Sequence, residues 1–120
     1  MVGIEVTLDQ AGLLRSCRVK GHAGAGKGLF RRGADPVCAA VSILVRTALR
    51  TLAGRRGIEL RGGAPDRGLL WMEADYTAEG RDFLAAAGAF LIEGLKSVSE
   101  DYPGYCGIII EDPSPGGAGV

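Results

Sequence analysis

The chain has 120 residues, of which 31 are Leu, Ile, Val or Phe. That is enough apolar side chain for one folded domain, and too short a chain for two. Fourteen Lys and Arg balance fourteen Asp and Glu, which disfavours a globally basic nucleic-acid binder. Three cysteines without a CxxC pair, no leader-like apolar run and no stretch of ~18 uncharged apolar residues speak against a disulfide scaffold, a secreted protein and a membrane-spanning one, and point to a reduced cytoplasm.

Charge is unevenly spread: residues 1–60 carry ten Lys/Arg and four Asp/Glu, and residues 61–120 the reverse. Val2 to Leu8 alternates, with Val2, Ile4, Val6 and Leu8 on one side, and reads as a half-buried strand. Asp9 to Gly12 supplies a turn, and Leu13 to Lys20 the returning strand of a hairpin. Leu13, Cys17 and Val19 share a face of that strand, and Arg15 breaks its pattern. Residues 21–34 hold five glycines and no period, and read as a long loop of the kind that often carries function. Asp35-Pro36 marks a helix start, Asp as N-cap and Pro as first helical residue. The helix runs to Leu52 on a stripe at 37, 41, 44, 48 and 52, and Gly54 stops it.

Ile58 to Leu60 and Leu69 to Asp75 read as two strands joined by a Gly/Pro/Asp turn. Thr77 reads as the N-cap of a second helix to about Asp101, with Phe83, Phe90, Leu91, Leu95 and Val98 as core. Pro103 blocks its continuation, and Tyr105 to Glu111 is a last strand. The order ββαββαβ predicts one α+β domain over residues 1–112, a five-stranded mixed sheet with two helices packed on it. Residues 113–120 read as a disordered Pro/Gly tail.

The chemistry concentrates in Gly21-His22-Ala23 and Gly33-Ala34-Asp35-Pro36-Val37-Cys38-Ala39-Ala40-Val41-Ser42. The chain's single histidine, His22, sits at the end of a predicted strand, and Cys38 in the first turn of a predicted helix. Free N–H groups and the positive end of the helix dipole favour an anion there, and a thiolate is one. A neighbouring imidazole would take the thiol proton, giving the pair used by cysteine nucleophiles. The plain alternative is that Cys38 is a small core residue and His22 a surface loop residue. Asp35 caps the helix or orients His22. Ser42, one turn after Cys38 on the same face, bonds back to a helix carbonyl or makes a polar contact near the thiol.

Gly-His-Ala, a glycine-rich loop and Gly-x-Asp-x-Val-Cys-Ala-Ala-x-Ser together resemble the signature of the ribosomal-processing cysteine proteases, the Prp family. The resemblance covers about residues 1–112, including the element order. It implies a homodimeric bacterial cysteine endopeptidase that needs no cofactor or metal and removes a short N-terminal extension from a large-subunit ribosomal protein. It implies His22 as general base and Cys38 as nucleophile, with Gly21, Asp35 and Ser42 as supporting positions. The 16 residues from His22 to Cys38 exceed the family's usual interval, and Pro36 stands where an aliphatic residue is more usual. Residues 23–34 are expected to form a lid over the substrate, with Leu29 and Phe30 contacting peptide or a partner subunit.

Other readings fare worse. Gly21 to Gly28 nearly matches a phosphate-binding loop, but Gly28 replaces the magnesium-ligating hydroxyl and the helix starts too late. Cys17, His22, Cys38 and Cys106 fit no common zinc spacing. The rival from another class is a non-catalytic ribosome- or RNA-associated homodimer, supported by the basic first half and weakened by the scarcity of stacking aromatics.

Overall fold

The computed structural model describes residues 1–21, 34–66 and 69–113. The elements are β1 (Val2–Leu8), β2 (Leu14–Gly21), α1 (Ala34–Leu52), β3 (Ile58–Asp66), β4 (Leu69–Tyr76), α2 (Arg81–Asp101) and β5 (Cys106–Glu111). The strands form one mixed sheet in the order β3-β4-β2-β1-β5. β1 pairs antiparallel with β2 and parallel with β5, and β4 pairs antiparallel with β2 and β3. The expected ββαββαβ order, five strands and two helices are all present.

Both helices cover one face of the sheet. Val2, Ile4 and Val6 of β1, Cys17 of β2, Met72 and Ala74 of β4 and Cys106 of β5 meet Val37, Val41, Val45, Leu52, Leu84, Leu91 and Leu95 in one core. The alternation of β1 places its apolar side inward. β2 obeys the same rule with one interruption. Thr7 pairs with Ser16 and Leu8 with Leu14, so Arg15 is left over as a bulge. The bulge resets the parity: Leu14 turns inward, and Arg15 turns out to pair with Asp75.

The open face of the sheet carries charge in register. Arg61 bonds Glu73 through its Nη2 at 3.2 Å and lies 3.8 Å from Asp75, and Thr7 and Ser16 share a hydroxyl bond of 2.5 Å. These exposed pairs contribute little individually, at most about 1 kcal/mol.

Several sequence boundaries shift. α1 begins at Ala34, so Asp35 lies inside its first turn rather than at the N-cap. Val45 is fully buried where Leu44 was expected, and Leu44 is half-buried facing Gly94. β3 runs through the Gly62-Gly63 pair read as turn. A Cβ on Gly62 would lie 2.8 Å from Leu49 Cδ2, so the glycine admits α1 close to the strand. α2 starts at Arg81 with Gly80 as N-cap, because residues 77–80 form a turn whose Thr77 N–H donates to Gly57 O at 2.9 Å. Its buried stripe is Leu84, Gly88, Leu91, Leu95 and Val98. Phe90 precedes Leu91 by one residue, about 100° around the helix, and is 75% exposed. Phe83 sits on that same flank, where Arg55 covers it 3.6 Å from the ring centroid. Of residues 113–120, expected to be a disordered tail, all but Pro113 lie outside the described residues.

Two turns hold the layers together. At the first, Gly57 takes φ +80° and a Cβ there would collide with the Gly80 backbone. Gly57→Ala therefore combines left-handed strain with a backbone clash, and should cost about 2–4 kcal/mol in a urea melt. Gly3→Ala, with open space around it, should stay within about 0.5 kcal/mol of the parent.

At the second, the Asp9 carboxylate accepts from Ala11 N at 2.8 Å, Leu13 N at 2.9 Å and Tyr76 Oη at 2.6 Å. Burial alone would push its pKa up. The Tyr76 bond, the two backbone bonds and the Arg81 charge outweigh that and hold it below its ordinary 3.8. A depressed carboxylate stabilises the fold above its unfolded pKa, and that contribution disappears as pH falls through the folded value. Asp9→Ala should lower stability at pH 7 and flatten the acid limb below pH 3.8, as followed by thermal melts across pH.

Candidate active site

The described parts of the two sequence segments singled out above, Gly21 at the end of β2 and the start of α1, follow one another in the element order. β2 finishes at Gly21, which pairs with Val2, and Val2 pairs on its other side with Cys106. Gly21 has φ +97°, and a Cβ there would lie 2.6 Å from Met1 O. Only glycine passes the N-terminus so closely in this conformation. The residue before His22 is thus fixed by sterics. His22 itself, with Leu29 and Phe30, lies outside the described residues.

The helices bring Cys38 to the same end. Leu44 lies against Gly94, and Arg55 lies over Phe83. One contact lies within the helix pair, and the other joins the chain just past α1 to the start of α2, so α1 and α2 run antiparallel. Cys38, six residues before Leu44, therefore lies toward the C-terminal end of α2. At that end Ser99 donates its hydroxyl to Cys106 O at 3.0 Å. After Asp101 the chain turns through Tyr102 to Tyr105, and Val2 N donates to Tyr105 O at 2.8 Å as β5 begins.

Cys38 is half-buried and packs against the core between the fully buried Val37 and Val41. It is the fifth residue of α1, so its thiol sits within a turn of the free N–H groups at the helix start. Ser42 is half-buried one turn further on. Thr51 and Ser97 bond back to the carbonyls four residues earlier. Ser42 makes no such bond among the described residues. Asp35 is placed by its backbone alone.

The three cysteines, none of them disulfide-bonded, occupy different environments. Cys17 is wholly buried in mid-sheet, and burial pushes its thiol up to about 12. Cys106 is 3% exposed, and burial raises its pKa first, with charge at Cys38 second. Sequence reasoning placed Cys106 on an apolar strand face and missed its nearness to Cys38. No spacing between residues 38 and 106 signals it, because only the strand and helix registers create it.

A cleft of about 530 Å³ at the opposite end of β1 is lined by Thr7, Asp9, Arg15, Glu111 and Asp112. Thr7 and Glu111 are a register pair five residues beyond Val2 and Cys106, roughly 17 Å away at strand rise. The cleft is therefore separate from the Cys38 end. Among the described residues, no helix is long and apolar enough to cross a membrane and no cluster of metal ligands occurs.

Comparison with known proteins gives the geometry a family. A crystal structure of the ribosomal processing protease Prp from S. aureus, in complex with a substrate peptide, superposes with a TM-score of 0.76 at 17% identity, covering 92% of this chain and 100% of that one. A second S. aureus Prp structure, with a covalently linked product peptide, gives 0.72 at 14% identity over 92% and 100%. SMU.848 from Streptococcus mutans gives 0.70 at 26% identity over 93% and 95%. No curated protein sequence matches the chain. The family described as cysteine protease Prp matches residues 1–107, a span that holds every element from β1 to the start of β5, and the chain belongs to that family.

Proposed function

We propose that the chain is a cysteine endopeptidase that removes the N-terminal extension of a large-subunit ribosomal protein in a bacterial cytoplasm, acting as a homodimer. The observation that carries this reading is the family match over residues 1–107, which spans both His22 and Cys38. The end-of-sheet placement of Gly21 and Cys38 supports it.

His22 takes the Cys38 proton, and the thiolate attacks the scissile carbonyl. N–H groups at the start of α1 face the developing oxyanion. His22 then protonates the leaving amine, and water, activated by the same imidazole, hydrolyses the acyl-enzyme. Asp35 orients His22, and Ser42 sets the polarity beside the thiol. Leu29 and Phe30 contact the peptide substrate. An RNA-binding role has less support: Arg15 and Arg61, basic residues of the open sheet face, are already paired with Asp75 and Glu73.

Cys38→Ser and His22→Ala should each lower kcat/KM by about 10³-fold or more on a peptide spanning the extension junction, with an unchanged circular dichroism spectrum. A Cys38→Ser protein with full activity would overturn the assignment. In the native protein, brief iodoacetamide treatment near pH 7 should label Cys38 well before Cys17 and Cys106, whose thiols burial keeps protonated. Mass spectrometry of the digested protein reads the order, and equal labelling of all three would count against the Cys38–His22 pair.

A further inference from the structure

We propose that Cys106 is a resolving thiol for Cys38, and that hydroperoxides convert the two into a reversible intramolecular disulfide. The inference rests on the reading of Cys38 as a reactive thiol, and adds to it a modification that the proteolytic mechanism does not need.

Three observations place the thiols together. Cys106 opens β5 in the row Gly21–Val2–Cys106, on the helix-covered side of the sheet, so it lies at the end of the sheet from which the His22 segment departs. The antiparallel helices bring the start of α1, with Cys38, toward the C-terminal end of α2, whose Ser99 donates to the Cys106 carbonyl. Cys38 and Cys106 belong to the same apolar cluster, one at its rim and one inside it. A charge on Cys38 also raises the Cys106 pKa, after burial, as expected of neighbouring thiols. Cys17 takes no part: it faces the middle of the sheet, opposite Val6 and Met72.

The division of labour follows from exposure. Peroxide reaches the half-buried Cys38 and not the buried Cys106. The Cys38 thiolate attacks the peroxide, the O–O bond breaks and an S–O bond forms. Sulfur gives up two electrons, and the departing hydroxide or alkoxide takes a proton from solvent. The product is a neutral sulfenic acid, so the charge that opposed ionisation of Cys106 is gone. The Cys106 sulfur then attacks the Cys38 sulfur. The S–O bond breaks as the S–S bond forms, and the hydroxide leaves as water with the Cys106 proton. A dithiol reductant reverses the step by exchange. Without Cys106, a second peroxide carries Cys38 to the irreversible sulfinic acid.

The test treats the reduced full chain with hydrogen peroxide, alkylates it under denaturing conditions and maps peptides without reduction. The expected product is a linked peptide containing Cys38 and Cys106, which dithiothreitol returns to two thiols. Cys106→Ala and the bulkier Cys106→Val should each lower the recoverable Cys38 thiol about tenfold after the same exposure. Cys38 found as sulfinic acid, as a chain-to-chain disulfide or still as a thiol in the wild-type protein, with Cys106 alkylated, would overturn the proposal. The map reads sulfur chemistry, not cleavage. Linked thiols in a chain that cuts no peptide would sink the protease reading alone, and cleavage without linkage would sink this one alone.

Discussion

Strand β1 is the constraint on which the candidate site depends. Its inward residues Val2, Ile4 and Val6 are no more than 2% exposed, and it is paired along both edges. Burial of that order is worth roughly 1.5–3 kcal/mol per side chain, far more than any of the surface ion pairs. A one-residue slip would turn all three outward, so the register is strongly specified. Because Val2 is fixed between Gly21 and Cys106, the exit of β2 and the start of β5 are fixed too. The place where the chain leaves for the His22 segment is therefore set by packing several residues away from any chemistry.

The second constraint is the close approach of the helices. Gly88 faces Leu14, and Gly94 faces Leu44, each with no room for a larger residue unless its neighbour shifts. These contacts let α2 settle on β2 and α1 settle on α2. The antiparallel packing carries the start of α1, with Cys38, toward the C-terminal end of α2. A half-buried thiol at a helix start is thus reached from two directions: the strand row from below and the helix pair from above.

Much of this was legible in the sequence where local chemistry decides structure. The alternation of Val2 to Leu8, the Asp9 turn and the apolar run of β5 each declared themselves, because period and turn residue agree with the final environment. The Cys38 neighbourhood was legible as a motif. What the sequence hid was set by tertiary contact. Arg15 looked like a break in a strand, and is a bulge paired with Asp75. Gly62 and Gly63 looked like a turn, and are strand residues that make room for Leu49 and lie beside Trp71. Thr77 looked like a cap, and instead joins a turn latched to Gly57, because the Gly57–Gly80 crossing leaves the helix no earlier start. Phe90 looked like core by size, yet Leu91 next to it holds the buried stripe.

The three cysteines show how one residue type is divided by environment. In mid-sheet, opposite Val6 and Met72, Cys17 has no water to support a thiolate and behaves as a small apolar side chain. At a helix start, half-buried Cys38 meets both solvent and the dipole's positive end. Cys106 shares the burial of the first and the neighbourhood of the second. None of these differences appears in composition or in spacing along the chain. They arise from which row of the sheet, and which turn of the helix, each sulfur occupies. The burial that suppresses reactivity at Cys17 is the same physical effect that, at Cys106, keeps a thiol in reserve beside the one exposed to reagents.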